Sequence, residues 1–426
     1  MANTESETAP DLTSTTSAPS RHDRLLDEAA RQFNTRGVLL TSLSEIAAKL
    51  GLSRKAMYYY VADRQDLVFQ CYERAAQITA RRLFEASRAH GGAAEVLKDF
   101  VTRMLDPNEP EIAAGSEIAM MNPTQRDTIQ GLYGALAARL ARLLESGHSE
   151  GAFRACDVDV IARAILSLVA WAPLGGRWIQ ALGPLGHSRL LAAAIATLME
   201  GLSPQTRIPE FRPLDLAPLA PRTVRAFDRE AALEAKRATL LRIASRLFNR
   251  KGIDATSLEE IAAQVGATKR TIHHHIGSKA ELVMACYERT YRIFFFIMER
   301  ALEYPGSRLD ALVAAMHASA LAYPSEELSP LSPLVGYATL SREGQLKMNE
   351  YGQKISTEYR ALIRQGVREG SIRDVDVEAR ALLLPGLTSW LVKDDVPSEP
   401  AEQRHIAREI VNLVAVGLGN SAPVRV

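Results

Sequence analysis

The chain has 426 residues, of which 47% are hydrophobic and 24% charged, which excludes a wholly disordered or collagen-like polymer. At roughly 100–200 residues per domain, that length implies two to four domains. The net charge is only +1, so charge alone points to no polyanion partner, and three cysteines (Cys71, Cys156, Cys286) with no zinc-site spacing predict a reducing cytosol without disulfides, metal or cofactor.

In chain order, residues 1–20 are polar and are expected to be a disordered tail. Residues 21–74 hold nine Lys/Arg against seven Asp/Glu, and residues 236–289 hold ten against five. Two windows are thus basic, at +2 and +5, and the remainder sums to −6. The most apolar stretch, near 158–175, is interrupted by Arg163, so no membrane span is expected. Residues 203–222 carry prolines at 204, 209, 213, 218 and 221, which predicts an extended linker. Apolar residues elsewhere recur at three and four, as in Leu26, Ala29, Ala30, Phe33 and Leu241, Ala244, Phe248, and sustained strand alternation is missing. The fold class is all-α.

The two basic windows repeat each other without a gap at an offset of 215 residues. From Phe33 to Arg74, 17 of 42 positions match their partners in Phe248–Arg289. A period this long is a duplicated domain rather than a solenoid. The echo continues: EGAFRACDVDVIARA (150–164) resembles EGSIRDVDVEARA (369–381) once two residues are dropped, and each is followed by a tryptophan, Trp171 or Trp390.

Each window reads as helix, glycine turn, helix. Gly37 ends a first helix. Ser42 and Glu45, repeated as Ser257 and Glu260, form a capping box for a second, which stops at Gly51. Ser53 caps a third helix, RKAMYYY, and its counterpart is TKRTIHHHI. A tight glycine turn between two helices lets the second enter a DNA major groove. There Arg and Lys pair with guanine or phosphate, and Tyr hydroxyls bond phosphates. The next helix opens with Asp63-Arg64 or Ser278-Lys279, where free N–H groups and a basic side chain favour phosphate. The consecutive residues His273, His274 and His275 point about 100° apart on a helix and do not converge on one ion. Cys71 and Cys286 lie among apolar residues and read as small buried hydrophobes.

On Phe33, Gly37, Thr41, Ser42, Ile46, Ala47, Gly51, Ser53, the Tyr58–Tyr60 run and Leu67, and on their counterparts in the second window, each copy resembles the DNA-binding region of the TetR family of bacterial transcriptional repressors. The departures are Val61 for the usual Phe, Arg64 for Lys, and His273 and His274 for the usual Tyr pair. The copies are therefore expected to prefer different bases. The resemblance implies two tandem units, each a three-helix helix-turn-helix domain followed by a larger helical domain for ligand binding and dimerisation. Their borders are 21–74 and 75–202, a linker at 203–235, then 236–289 and 290–420.

Under this resemblance the DNA-contacting residues are Thr41, Ser53, Arg54, Lys55, Tyr58, Tyr59 and Arg64 in the first copy. In the second they are Thr256, Thr268, Lys269, Arg270, His273, His274 and Lys279. The ligand-pocket candidates are Phe100, Met104, Met121, Tyr133 and Trp171, and Tyr291, Phe295, Met316, Tyr337 and Trp390. The implied partners are a double-stranded DNA operator, a small-molecule effector and no membrane. The expected assembly is one chain folded as an intramolecular pseudo-dimer on an imperfect palindrome, and the alternatives are a homodimer with four reading heads or a helical scaffold with degenerate heads. No Walker loop, dinucleotide fingerprint, His-Glu zinc motif or nucleophile elbow is present, so no enzyme is expected.

Overall fold

The computed structural model describes residues 20–420 except 39, 116–117, 179–185, 206–207, 221–228, 254, 269, 271–275, 333–334 and 393–395. The polar tail at 1–19 lies outside them. The described residues are helices, turns and irregular segments, with one isolated antiparallel bridge between Phe153 and Gly419.

In the first half α1 (Arg21–Arg36), α2 (Leu43–Lys49) and α3 (Arg54–Met57) make a small head. It is followed by α4 (Arg64–Ala89), α5 (Ala93–Leu105), α6 (Pro123–Ser149), α7 (Val158–Trp178) and α8 (His187–Met199). In the second half α9 (Arg229–Lys251) and α10 (Leu258–Val265) belong to the other head. Then come α11 (Lys279–Leu302), α12 (Arg308–Ala322), α13 (Arg342–Glu369), α14 (Val377–Leu383) and α15 (Pro400–Val416), with 3-10 turns at Leu384–Leu387 and Ser389–Val392. α4 runs unbroken through residue 75, so in the first half head and body share a rigid element. α9 starts at Arg229, inside the segment read as linker.

Among the described residues the apolar side chains fall into three cores. One lies in each head: Leu25, Phe33, Ile46, Met57 and Leu67 in the first, Leu241, Phe248, Ile261 and Leu282 in the second. The third is common to both bodies and runs from Leu83 to Leu418, drawing Ile161, Ile165 and Leu168 of α7 together with Leu383 and Leu384 and with Ile410 and Val414 of α15. α7 and α8 pack on α14, the 3-10 turns and α15. The 18-residue window Val158–Gly175 has a mean hydropathy of 1.6, enough by length and composition to cross a membrane. Its apolar face, Ile161, Ala164, Ile165, Leu168 and Ala172, is instead covered by this shared core.

The junction is reciprocal at the backbone. Arg154 N donates to Leu418 O at 2.9 Å, and Arg373 N donates to Leu202 O at 2.9 Å. Leu202 N donates to Val414 O at 2.9 Å, and Leu418 N to Leu198 O at 2.7 Å. Asp157 accepts from Val160 N at the start of α7 and pairs with His405 of α15 at 2.8 Å. Asp376 accepts from Ala379 N at the start of α14 and pairs with Arg189 of α8 at 2.7 Å. The Arg189 hydrogen bond holds the Asp376 carboxyl below its ordinary range.

These contacts correct the alignment of the second echo. Asp157 and Asp376 play one role, as do Arg154 and Arg373; each pair stands 219 residues apart, like Trp171 and Trp390. No two-residue drop is needed. The shared DVDV string is out of structural register, because the position that must accept the helix's third N–H decides the alignment, not the string.

Gly201 and Gly417 sit where the two backbones cross, at φ +67° and +64°. A Cβ on Gly201 would lie 2.5 Å from Ala415 O, and one on Gly417 would lie 2.5 Å from Met199 C. Backbone strain at such a position costs about 1–3 kcal/mol for a side-chain-bearing residue before the clash is added. Gly201→Ala and Gly417→Ala are each expected to lower the unfolding temperature by at least about 3 °C. Gly131→Ala, in an α6 position with nothing within 4 Å, should not. Calorimetry giving all three variants the same midpoint would contradict this account of the crossing.

Candidate nucleic-acid interface

α3 begins at the N-cap Ser53, whose Oγ accepts from Ala56 N at 3.1 Å. The α-helix spans only Arg54–Met57, shorter than the seven-residue helix read from the sequence, and Tyr58–Tyr60 continue as turns through Tyr59 N to Ala56 O and Tyr60 N to Met57 O. Met57 and Val61 are 0% and 1% exposed and pin one face to the head core. Ser53, Arg54, Lys55, Tyr58 and Tyr59 are exposed on the other, with Tyr58 at 49% and Tyr59 at 81%. Such exposure of two aromatic side chains beside two cations suits a polyanion with stacked bases. Tyr60 is only half-exposed and stacks on His22, and its carbonyl accepts from Gln70 Nε2 at 3.0 Å.

In the second head Thr268 and Arg270 are exposed and Lys279 is half-exposed at the start of α11. Lys269, His273, His274 and His275 lie outside the described residues. Among the described residues no cluster of His, Cys, Asp or Glu could hold a metal ion.

Three expectations need correction. Thr41 and Thr256 are 2% and 0% exposed and do not face DNA. Their hydroxyls donate back to Gly37 O at 3.0 Å and Gly252 O at 2.8 Å, closing the turn that α1 and α9 leave through a positive-φ glycine. The Ser42–Glu45 box is incomplete: Ser42 caps Ser44 N, while the Glu45 carboxylate goes to Arg36 at 3.0 Å. Ser257 does take Glu260 N, but that carboxylate pairs with Lys251. A cation at the end of the preceding helix competes for each glutamate. Third, the start of α4 is partly filled by its own acids. Asp63 accepts from Asp66 N, and Asp66 accepts from Ala62 N at 2.8 Å. At α11, Ser278 and Glu281 form a complete box. The cations at these two helix starts are the exposed Arg64 and the half-exposed Lys279.

Among the described residues of the bodies, two cavities are each closed by the opposite half. The first, of about 320 Å³, is lined by Met104, Tyr133, Arg163 and Trp171, together with Ser389 and Trp390 of the second half. The second, of about 150 Å³, is lined by Tyr291, Tyr337 and Tyr359, together with Trp171 of the first half. Trp171 thus forms a wall of both, held by its Nε1 donating to Leu382 O at 2.9 Å. Of the ten candidates, Met104, Tyr133, Trp171 and Trp390 border the first cavity, and Trp171, Tyr291 and Tyr337 border the second. The other four do not. Phe100 and Met316 are 0% and 1% exposed in the shared core, Met121 belongs to the first head's core, and Phe295 lies under Lys354, 4.5 Å from its ring. Burial raises the Tyr133 and Tyr291 hydroxyls to about 12. Burial likewise raises the Cys71 thiol, and Cys286 to about 12, which makes both inert.

Sequence reasoning missed Asn34 and Asn249. Asn34 Nδ2 donates to Ile112 O at 2.8 Å, and its Oδ1 accepts from Ala114 N at 2.9 Å. Asn249 Nδ2 donates to Pro330 O, and its Oδ1 accepts from Ser332 N, both at 2.9 Å. Each asparagine clasps the loop that walls a cavity to the first helix of the head on its own side, since Ile112, Ala114 and Ser332 border the first cavity and Leu331 the second. The signal was present: a polar residue identical in both copies, beside the phenylalanine of each head core.

The family model described as bacterial regulatory proteins, tetR family, matches residues 25–71 and again 240–286, so it finds both heads. The chain belongs to the TetR family. A second model, tetracyclin repressor-like C-terminal domain, matches residues 93–202. The HTH-type transcriptional repressor KstR2 of Rhodococcus jostii is 26% identical over 192 residues, covering 43% of this chain and 92% of KstR2. The HTH-type regulator AcrR of Shigella flexneri is 30% identical over 95 residues, 22% of this chain and 44% of AcrR. Among solved structures, the TetR-family regulator PfmR of Thermus thermophilus is 29% identical over 42% of this chain and 97% of its own, with a TM-score of 0.38. This chain is a tandem TetR-family protein and a DNA-binding transcriptional regulator.

In the first head, α2 is tied to α1 by Glu28. Its carboxylate meets Lys49 Nζ at 3.0 Å, Gln32 Nε2 at 2.7 Å and Arg31 Nη2 at 2.5 Å. Burial works to raise its pKa, but the hydrogen bonds from Arg31, Gln32 and Lys49 outweigh it and bring it from 4.5 down to about 2. A depressed carboxylate stabilises the fold fully above its unfolded pKa and loses that contribution as pH falls through the folded one. The urea midpoint of the native chain should exceed that of Glu28→Gln at pH 6, and the gap should close between about pH 4.5 and 2. A gap that stays constant across that window would rule out the ionised carboxylate as its source.

Proposed function

We propose that the chain is a ligand-responsive repressor that binds one imperfect palindrome as an intramolecular pseudo-dimer in the cytoplasm. The observation that carries DNA binding is the exposed face of Arg54, Lys55, Tyr58 and Tyr59 set against the buried Met57 and Val61. The repressor sense follows the KstR2 relatives. The pseudo-dimer is supported by the reciprocal junction, in which Arg154 and Arg373, Asp157 and Asp376, and Gly201 and Gly417 exchange roles about an approximate two-fold. Such exchange is the signature of an isologous interface, here closed within one polypeptide. Tethering makes assembly independent of concentration.

The heads differ, with Tyr58 and Tyr59 in one and His273 and His274 in the other, so the two half-sites differ in sequence. A ligand acts by favouring a state in which the heads no longer meet adjacent grooves. Its route to the heads is the pair of loops clasped by Asn34 and Asn249.

Lys55→Ala is expected to weaken operator binding across all sequences and to flatten the dependence of log K on log salt by about one unit if Lys55 holds a phosphate. Binding measured from 50 to 200 mM salt with an unchanged slope and affinity would remove Lys55 from the interface. Light scattering of the complex should find one chain per operator, and two chains would favour a homodimer with four heads. Asn249→Ala should leave operator affinity within about threefold while reducing ligand-induced release, and undiminished release would exclude the clasp as the route.

A further inference from the structure

We propose that the second-half cavity binds an uncharged, ring-bearing molecule carrying a hydroxyl or carbonyl that pairs with Ser356 Oγ. This deepens the ligand-responsive reading above and rests on it.

The cavity is lined by rings: Trp171, Tyr287, Tyr291, Phe294, Tyr323 and Tyr359. No charged side chain occurs among its described lining residues. A carboxylate or ammonium entering it would lose its hydration and find no counter-charge. The tyrosines do not supply one, because burial pushes Tyr291 and Tyr359 to about 12 and Tyr323 higher still, so they stay neutral. The volume of about 150 Å³ is the size of apolar cavities that admit benzene, which points to one or two rings.

The polar groups of the wall are mostly engaged. Tyr287 Oη donates to Val335 O at 2.8 Å, and Tyr337 Oη donates to Asn349 Oδ1 at 2.9 Å. Ser356, on α13, has no such partner. It is 2% exposed, and its Oγ has no hydrogen-bond partner among the described residues. A buried hydroxyl left unpaired destabilises the fold, and a ligand oxygen at that point removes the penalty.

The other half supplies the contrast. Gly147 and Gly366 near the ends of α6 and α13 stand 219 residues apart and play one role, seating Phe153 and Ile372 respectively. At that offset the counterpart of Ser356 is Ala137, which lines the first cavity. That cavity has no hydroxyl at this position and has instead the charged Arg163 among its lining. Duplication has left two cavities of one ancestry with different chemistry.

Calorimetric titration of the full chain with 2-naphthol, naphthalene and 2-naphthoate tests the assignment. The expected result is that 2-naphthol binds at least tenfold more tightly than 2-naphthoate. Ser356→Ala should weaken 2-naphthol about five- to tenfold and leave naphthalene within twofold, which also shows that the variant's cavity is intact. Absence of 2-naphthol binding, equal affinity for 2-naphthoate, or equal loss of 2-naphthol and naphthalene on Ser356→Ala would each overturn the proposal. An operator gel shift separates the two readings. Ser356-dependent binding of 2-naphthol without operator release leaves the site standing and removes the regulation, while release that ignores Ser356→Ala keeps the regulation and overturns the anchor.

Discussion

The architecture depends on one constraint: neither body can bury its own apolar surface alone. Ile161, Ile165 and Leu168 of α7 share one core with Leu383, Leu384 and α15, and the exchange is locked by paired backbone hydrogen bonds around Leu202 and Leu418. Backbone pairs of this kind leave no tolerance for sliding, because a shift of one residue would orphan several buried N–H and C=O groups at once. The bodies are therefore held in one register, and the cavities between them inherit it.

That relation also explains where the cavities lie. Each takes a tryptophan from the opposite half, Trp390 for the first and Trp171 for the second, and Trp171 borders both. A ligand in either one touches the joint between halves rather than the interior of a single unit. From there the loops held by Asn34 and Asn249 lead to the first helix of each head. Cavity, joint and reading head thus form a continuous set of contacts, along which the proposed effector would act.

Much of this was legible in the sequence. The gapless repeat from Phe33 to Arg74 named the heads, because a head core of about 50 residues leaves few positions free and duplicates retain them: Phe33 and Phe248, Ile46 and Ile261, Leu67 and Leu282. What failed did so for identifiable reasons. Thr41 and Thr256 look like polar residues available to DNA, but a hydroxyl can be spent on the carbonyl of the preceding turn, and only coordinates show that. Glu45 and Glu260 fit a capping box by spacing, yet Arg36 and Lys251 lie within reach and win. The DVDV echo invited alignment by identity, whereas the helix start obeys the capping aspartate. Phe100 and Met316 had the composition of a pocket and the burial of a core, since an aromatic or thioether at helical spacing serves either. Ser356 could not have been found at all: a serine on a helix is unremarkable until its surroundings are known to be dry.

The shared core has a consequence for synthesis. A ribosome releases α7 and α8 some 200 residues before α15 exists. At about 5–20 residues per second, that interval is roughly 10–40 s. Throughout it the part of Val158–Gly175 that the second half covers, in a segment with a mean hydropathy of 1.6, is displayed to whatever is nearby. Two free subunits would meet this hazard by finding each other in solution. Fusion replaces that search with a wait, and it makes the order of translation, first half exposed and second half as its lid, part of how the molecule is built.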